Sequence, residues 1–149
     1  MTDRRTTATQ QPLTAVIVGS RCGLFPSRSQ AGEDTGFGGI GMAIKLRQAG
    51  ITDFVMLEKS NQIGSTWRDN TYPGAACDVP SPLCSFSFEQ DFDWPRFYSG
   101  QQDIHRNQQH CVTKYKLIPH VRLNTEVRRT AFDERRGLLG DRNRRQNCQ

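Results

Sequence analysis

The sequence has little that would indicate an exported, membrane-spanning or metal-binding protein. Its five cysteines include no C-x-x-C pair, and residues 1–12 lack the apolar core of a signal peptide. No apolar run approaches the ~20 residues that a membrane span requires. The three histidines do not repeat at i, i+4 and have no carboxylate at ligand spacing. These absences predict a cytoplasmic protein with reduced thiols, no membrane span and no metal site.

Hydrophobic residues are also scarce, at 35% of the 149 residues, and they concentrate between Leu13 and Val127. Much of the net charge of +5 comes from residues after Arg128. We interpret this excess as a solvated basic tail, because no aromatic-and-basic repeat or zinc-finger spacing points to nucleic-acid binding. The sequence therefore predicts a disordered lead over 1–12, one partial domain over 13–137 and a basic tail over 138–149.

The first half of the chain has the pattern of a β-α-β unit. Leu13–Val18 is short, apolar and β-branched, as in a central parallel strand. Apolar residues then recur at helical spacing from Ile40 until Gly50, which is a natural helix stop. Phe54–Leu57 reads as a second buried strand with Glu58 at its end. The fold class indicated is α/β, a partial doubly wound (Rossmann-like) domain with parallel strands, followed by an irregular aromatic-rich loop region.

The glycines between these strands fit a dinucleotide-binding motif in two registers. A contiguous register consists of Gly36, Gly38 and Gly41. A split register consists of Gly19, Gly36 and Gly39, and it passes over an irregular insert at 21–35. We prefer the split register, because residues 31–35 make a poor buried strand. In this motif the glycines allow a tight turn and a close backbone approach, and the pyrophosphate rests on the helix N-terminus.

An acidic residue about 20 positions after the glycines holds a ribose hydroxyl in such folds. Glu58 follows Gly39 by 19 positions, at the end of the second strand. We therefore predict that Glu58 holds the ribose, with a solvated strand end as the alternative interpretation.

Two strings after Glu58 make the pattern specific. They are Thr66-Trp67-Arg68-Asp69-Asn70 and Tyr72-Pro73-Gly74-Ala75-Ala76-Cys77-Asp78. Together with the strand and the split glycines, they resemble the N-terminal FAD-binding segment of Baeyer–Villiger monooxygenases, within the flavin-containing monooxygenase group. The resemblance covers roughly Leu13 to Gly137 apart from the insert. This chain departs from the family at Ser65, where glycine is usual, and at Cys84, where tyrosine is expected.

The resemblance implies an FAD- and NADPH-dependent monooxygenase. Such an enzyme inserts oxygen into ketones, or oxygenates nitrogen or sulfur centres, through a flavin peroxide. The second glycine motif for NADPH, the catalytic arginine and the F-x-G-x-x-x-H fingerprint do not occur in these 149 residues. We therefore expect no turnover from this chain alone. The alternative is a non-catalytic, truncated flavoprotein fragment, at most a binding module with a basic tail.

The resemblance also implies a set of cofactor-binding residues: Gly19, Gly36, Gly38, Gly39, Glu58, Thr66, Trp67, Arg68, Asp69, Ala76, Cys77, Asp78 and Val127. Thr66 to Asp69 would lie along the flavin, and Val127 would offer backbone contacts to adenine. Asp78 is the catalytic candidate, since its family counterpart positions an arginine and touches NADPH together with the two preceding residues.

Structural interpretations remain open for several of these residues. Trp67 is also explained by core filling, Cys77 by a small buried side chain, and Asp78 by a cap ahead of a proline. Tyr72-Pro73-Gly74 favours a type II turn.

The later part of the chain predicts loops, one helix and one or two short strands. For its aromatic residues from Phe86 to Tyr98, we favour core packing over a wall around the cofactor. A helix capped by Ser99 or Asp103 is expected to run through about Tyr115, with Ile104, Cys111, Val112 and Tyr115 as its buried stripe. Residues 121–130 read as one strand or two short ones.

Overall fold

The computed structural model describes residues 13, 15–18, 35–127, 130–133, 135 and 138–141. Its main sheet has three parallel strands in the order β1-β2-β3. They are β1 (Ala15–Val18), β2 (Phe54–Leu57) and β3 (Val121–Arg122). The central strand β2 is apolar and largely buried, which matches its continuous hydrophobic run. The predicted α/β class with parallel strands is thus confirmed.

Helix α1 (Phe37–Gln48) packs on this sheet through Ile40, Ala43 and Ile44, which are all buried. Their i, i+3, i+4 spacing places them on one face. The helix ends before Gly50, which has a φ of +80°. Only glycine adopts this left-handed conformation at little cost, so the predicted stop at this residue is confirmed.

Two further helices follow, α2 (Thr66–Asp69) and α3 (Gln101–Lys114). The N-cap of α3 is Gly100, and no side chain caps the helix, so the predicted cap at Ser99 or Asp103 is wrong. Ser99 is instead buried in a loop, where its hydroxyl donates to the Arg96 carbonyl.

The buried face of α3 differs in part from its predicted stripe. Ile104, Cys111 and Val112 are buried as predicted, whereas Tyr115, the fourth residue of the predicted stripe, is half-buried. Asn107 and Gln108 are also fully buried, although both carry polar amides.

The aromatic loop, residues 86–98, contributes side chains to the core, as favoured from the sequence. Phe86 and Phe88 stack at 5.1 Å between ring centroids and pack against the core cluster. Phe86 also meets Phe37 of α1 edge-on at 5.2 Å. Phe97 and Tyr98 of the same loop are exposed.

A second, antiparallel pair joins β4 (Thr130–Asp133) and β5 (Leu138–Asp141). A single strand over 121–130 is wrong, because β3 ends at Arg122 and residues 123–127 are irregular; of the two predicted alternatives, two short strands agree better with β3 and with β4, which begins at Thr130. The first residues of the expected basic tail form β5. No helix in the described part of the chain is long and apolar enough to cross a membrane.

Cys77 and Cys84 form a disulfide. The expectation of reduced thiols is therefore wrong for this pair. A 3₁₀-helix at Ser81–Cys84 turns the chain back toward Cys77, so the two sulfurs meet without a C-x-x-C spacing. Cys111 is a free buried cysteine, and burial raises the pKa of its thiol to about 11. Cys22 and Cys148 lie outside the described residues.

Candidate functional site

The carboxylate of Glu58 is fully buried at the end of β2, and four donor groups lie within 3.2 Å of its oxygens. Its Oε2 accepts hydrogen bonds from the backbone N–H of Thr35 at 3.0 Å and from the Thr35 hydroxyl at 2.7 Å. Its Oε1 accepts from the backbone N–H of Ser60 at 2.8 Å and lies 3.2 Å from Nη1 of Arg68. The interpretation of Glu58 as a solvated strand end is therefore wrong.

These contacts set the charge state of the carboxyl group. Burial by itself raises the pKa of Glu58, because it disfavours the charged form. The hydrogen bonds from Thr35 and Ser60 and the positive charge of Arg68 outweigh burial and lower the pKa below its ordinary value. Glu58 is thus a buried carboxylate that stays ionised at neutral pH.

Arg68 reaches Glu58 from the short helix α2, and its guanidinium is held on several sides. Nε and Nη2 donate to the two carboxylate oxygens of Asp69 at 2.7 and 2.9 Å. Nη1 also donates to the carbonyl of Gln62. Only 11% of the Arg68 side chain is exposed, so this cation belongs to the interior and compensates the charge of Glu58.

Unusual backbone conformations place α2 at this position. Gly64 has a φ of +125°, and Ser65, the N-cap of α2, has a φ of +54°. A Cβ on Gly64 would lie 2.4 Å from the ring of His105, so α3 approaches the backbone here too closely for any side chain. The positive φ at Ser65 is a conformation that glycine adopts at little cost, which gives a physical reason for the glycine that the resemblance predicts at this position.

Helix α3 supports α2 through polar contacts as well. Nε2 of His105 lies 2.8 Å from the carbonyl oxygen of Ile63, and the side-chain amide of Gln101 donates to the carbonyl of Trp67. The backbone of Trp67 is thus tied to α3. Trp67 is half-buried, whereas Thr66 and Asp69 are exposed.

The N-terminus of α1 lies next to this cluster. Gly36 is the N-cap residue and directly follows Thr35, which bonds Glu58. Gly38 is exposed and has open space around its α-carbon, and Gly41 packs against the ring of Phe86. The strand before α1 in the described residues is β1, as the split register requires; Gly19 itself lies outside the described residues.

The predicted residues after α2 are held differently. The backbone carbonyl of Tyr72 accepts a hydrogen bond from the N–H of Ala75 at 3.1 Å, and Gly74 has a φ of +84°. This geometry confirms the predicted type II turn. Ala76 and Gly100 form an isolated antiparallel β-bridge, and the N–H of Cys77 donates a hydrogen bond to the Ser99 carbonyl at 3.0 Å.

The predicted residues further from α2 differ in burial. Cys77 and Val127 are buried, whereas Asp78 is exposed.

The structure therefore joins the α1 N-terminus, Glu58, Arg68 and Asp69 in one cluster. Sequence reasoning missed Thr35, Ser60 and Gln62, which complete it. A hydroxyl residue directly before the glycines was the one available signal for Thr35. Ser60 and Gln62 act through backbone groups, which leave no mark in the sequence.

Curated relatives of this chain are monooxygenases. A Baeyer–Villiger monooxygenase of Streptomyces coelicolor is 54% identical over 99 residues, covering 66% of this chain and 19% of the relative. One from Pseudomonas aeruginosa is 49% identical over 104 residues, covering 70% of this chain and 20% of the relative. The chain thus spans about one fifth of the length of these relatives. No family model matches it.

Solved structures agree with these relatives. Cyclohexanone monooxygenase with bound ε-caprolactone superimposes with a TM-score of 0.71 at 30% identity, over 86% of this chain and 23% of that chain. A steroid monooxygenase bound to NADP gives a TM-score of 0.69 at 26% identity, over 84% of this chain and 22% of that chain. The likeness includes most of the described fold.

Proposed function

Because this chain is homologous to a segment of Baeyer–Villiger monooxygenases, we propose that residues 13–137 are FAD-binding structure of an FAD- and NADPH-dependent monooxygenase. The observation that carries the proposal is the buried, ionised carboxylate of Glu58 at the end of β2, beside the N-terminus of α1. This is the position at which a doubly wound fold holds an adenosine ribose. The alternative of a non-catalytic fragment gains no support from the relatives.

The residues at the N-terminus of α1 suit the negative charge of the cofactor's pyrophosphate. Backbone N–H groups at Gly36 and the first turn of α1 suit a pyrophosphate, and the exposed Gly38 leaves room for it. Glu58 would accept a ribose hydroxyl. Gly19 and Gly39 would complete the turn, and Val127 would adjoin the adenine.

The remaining proposed contacts lie further along the chain. Thr66, Trp67 and Asp69 would adjoin the flavin, while Arg68 holds Glu58 in place. Ala76, Cys77 and Asp78 would contact NADPH, with Asp78 positioning a catalytic arginine from elsewhere in the enzyme. The exposure of the Asp78 side chain is compatible with such a contact.

When bound, FAD supplies the redox chemistry that transfers oxygen to a substrate, with NADPH as the reductant. We propose a small ketone, or a related nitrogen or sulfur compound, as the substrate class; cyclohexanone is bound in one structural relative. A cytoplasmic location is part of the same proposal, and cell fractionation would test it.

The proposal is tested by the visible absorption of purified protein after incubation with FAD and desalting. We expect retained flavin absorbance that is lost in Glu58→Ala, because the variant removes the ribose acceptor. Asp93→Ala, which removes an exposed acid of the aromatic loop, is the matched control and should retain flavin. Equal retention by both variants would contradict the proposal, and so would a lack of retention both by the unaltered chain and by a chain without residues 21–35.

A further inference from the structure

We propose that the hydroxyl of Thr35 occupies the place on Glu58 that a cofactor ribose hydroxyl takes, so that Thr35 limits the affinity of this chain for FAD. This inference rests on the proposed function. It assigns a role to a residue of the insert, since Thr35 is the last residue of the segment 21–35 and is 1% exposed.

The first step concerns the capacity of the carboxylate. A carboxylate offers about four lone-pair positions for donors. Glu58 already has four donors, which are the N–H of Thr35, the hydroxyl of Thr35, the N–H of Ser60 and Nη1 of Arg68. A ribose hydroxyl can therefore bond Glu58 only by replacing one of them.

The second step identifies the replaceable donor. The N–H groups of Thr35 and Ser60 belong to the backbone and cannot leave without moving the chain. Arg68 is fixed by Asp69 and Gln62, and it compensates a buried charge that would be costly to leave unpaired. The Thr35 hydroxyl is neutral and leaves by rotation about one side-chain bond. It is also an O–H donor, as a ribose hydroxyl is.

The third step is the location of Thr35. It directly precedes Gly36, the N-cap of α1, where the pyrophosphate of a dinucleotide rests in this class of fold. A ligand with its pyrophosphate there brings its adenosine ribose toward the Glu58 carboxylate. Thr35 therefore stands between the two groups that the ligand must contact.

The test compares Thr35→Val, which removes the hydroxyl but keeps the shape and the backbone N–H, with Thr35→Ser, which keeps a hydroxyl. Thr113→Val is the matched control, because its hydroxyl bonds the Gln109 carbonyl on α3. The measurements are the Kd for FAD by flavin fluorescence and the melting temperature without ligand. We expect Thr35→Val to bind FAD about fivefold more tightly and to melt at a lower temperature without it.

A tighter Kd for FAD together with a lower melting temperature distinguishes the proposal from a purely structural role of Thr35. Loss of a purely structural contact would lower the melting temperature and weaken FAD binding as well. Thr35→Ser should resemble the unaltered chain in both measurements, and Thr113→Val should not change the Kd. ADP should show the same gain in Thr35→Val as FAD does, whereas 2′,3′-dideoxy-ADP, which lacks the ribose hydroxyls, should show none.

The outcomes are distinguishable. An unchanged or weaker FAD affinity in Thr35→Val overturns this inference and leaves the proposed function standing. An equal gain for ADP and its dideoxy analogue also overturns it, because the gain then does not involve the ribose. If neither the unaltered chain nor Thr35→Val binds FAD or ADP, the proposed function itself fails.

Discussion

Single residues decide the geometry around Glu58. The carboxylate stays ionised because backbone N–H groups and Arg68 replace the water it loses on burial. A second buried acid, Glu89, follows the same rule. Burial raises its pKa, but the bonds from Lys114 at 2.6 Å and Tyr115 at 2.8 Å lower it below the ordinary value. Glu58 thereby orders the predicted site, while Glu89 ties the aromatic loop to α3.

Ser65 gives a prediction at this scale. Its φ of +54° and ψ of −130° lie in a region of backbone conformation that residues other than glycine rarely adopt. We expect Ser65→Gly to raise the free energy of unfolding by about 1 kcal/mol, since relief of strain exceeds the added entropy of the unfolded chain. Urea denaturation measures this.

The control for Ser65 is Ser87→Gly, at an exposed loop position without a positive φ. It should lower the free energy of unfolding, because there glycine adds only unfolded-state entropy. A loss of stability in both variants would show that Ser65 is not strained.

Among the helices and strands, α3 has the buried face whose composition differs most from the predicted apolar stripe. It packs against α1 and α2, yet its buried face carries Asn107 and Gln108. None of their side-chain amide atoms has a hydrogen-bond partner among the described residues. Because a buried amide without a partner costs free energy, an apolar side chain at such a position is expected to stabilise the packing of α3.

Gln108→Leu tests this view of α3. Leucine has a similar volume and no polar atoms, so we expect the free energy of unfolding to rise by about 1–2 kcal/mol. Gln102→Leu, at an exposed position of the same helix, is the control and should change it by less than about 0.5 kcal/mol. Thermal and urea unfolding both report the change. A clear loss of stability in Gln108→Leu would mean that the amide of Gln108 is satisfied.

For the whole molecule, the sequence predicted what depends on local spacing. The strand Phe54–Leu57, the helix ending before Gly50 and the Pro-Gly turn at Tyr72 follow from patterns a few residues long. The contact between Thr35 and Glu58 joins residues 23 positions apart, and no local period records it. The Cys77–Cys84 disulfide likewise depends on a turn whose direction only the fold determines.

The insert is the feature that concerns the whole chain, because it lengthens the connection between β1 and α1 by fifteen residues, 21–35. A loop about fivefold longer costs roughly 1.4 kcal/mol of additional closure entropy. Deleting residues 21–35 joins Ser20 directly to Gly36 and restores a short turn before α1. We expect the deletion to raise the free energy of unfolding by about that amount and to tighten FAD binding.

A Gly/Ser segment of equal length in place of 21–35 separates the length of the insert from its composition. With glycine at position 35, this variant should have a free energy of unfolding about 1 kcal/mol below that of the unaltered chain, because the closure entropy depends on length and is unchanged, whereas the hydrogen bond from the Thr35 hydroxyl to Glu58 is lost. It should nevertheless bind FAD more tightly than the unaltered chain, because it removes the Thr35 side chain from Glu58. If the deletion instead lowers stability, the insert contributes packing that outweighs its closure entropy, and the tight turn is not what this chain lacks.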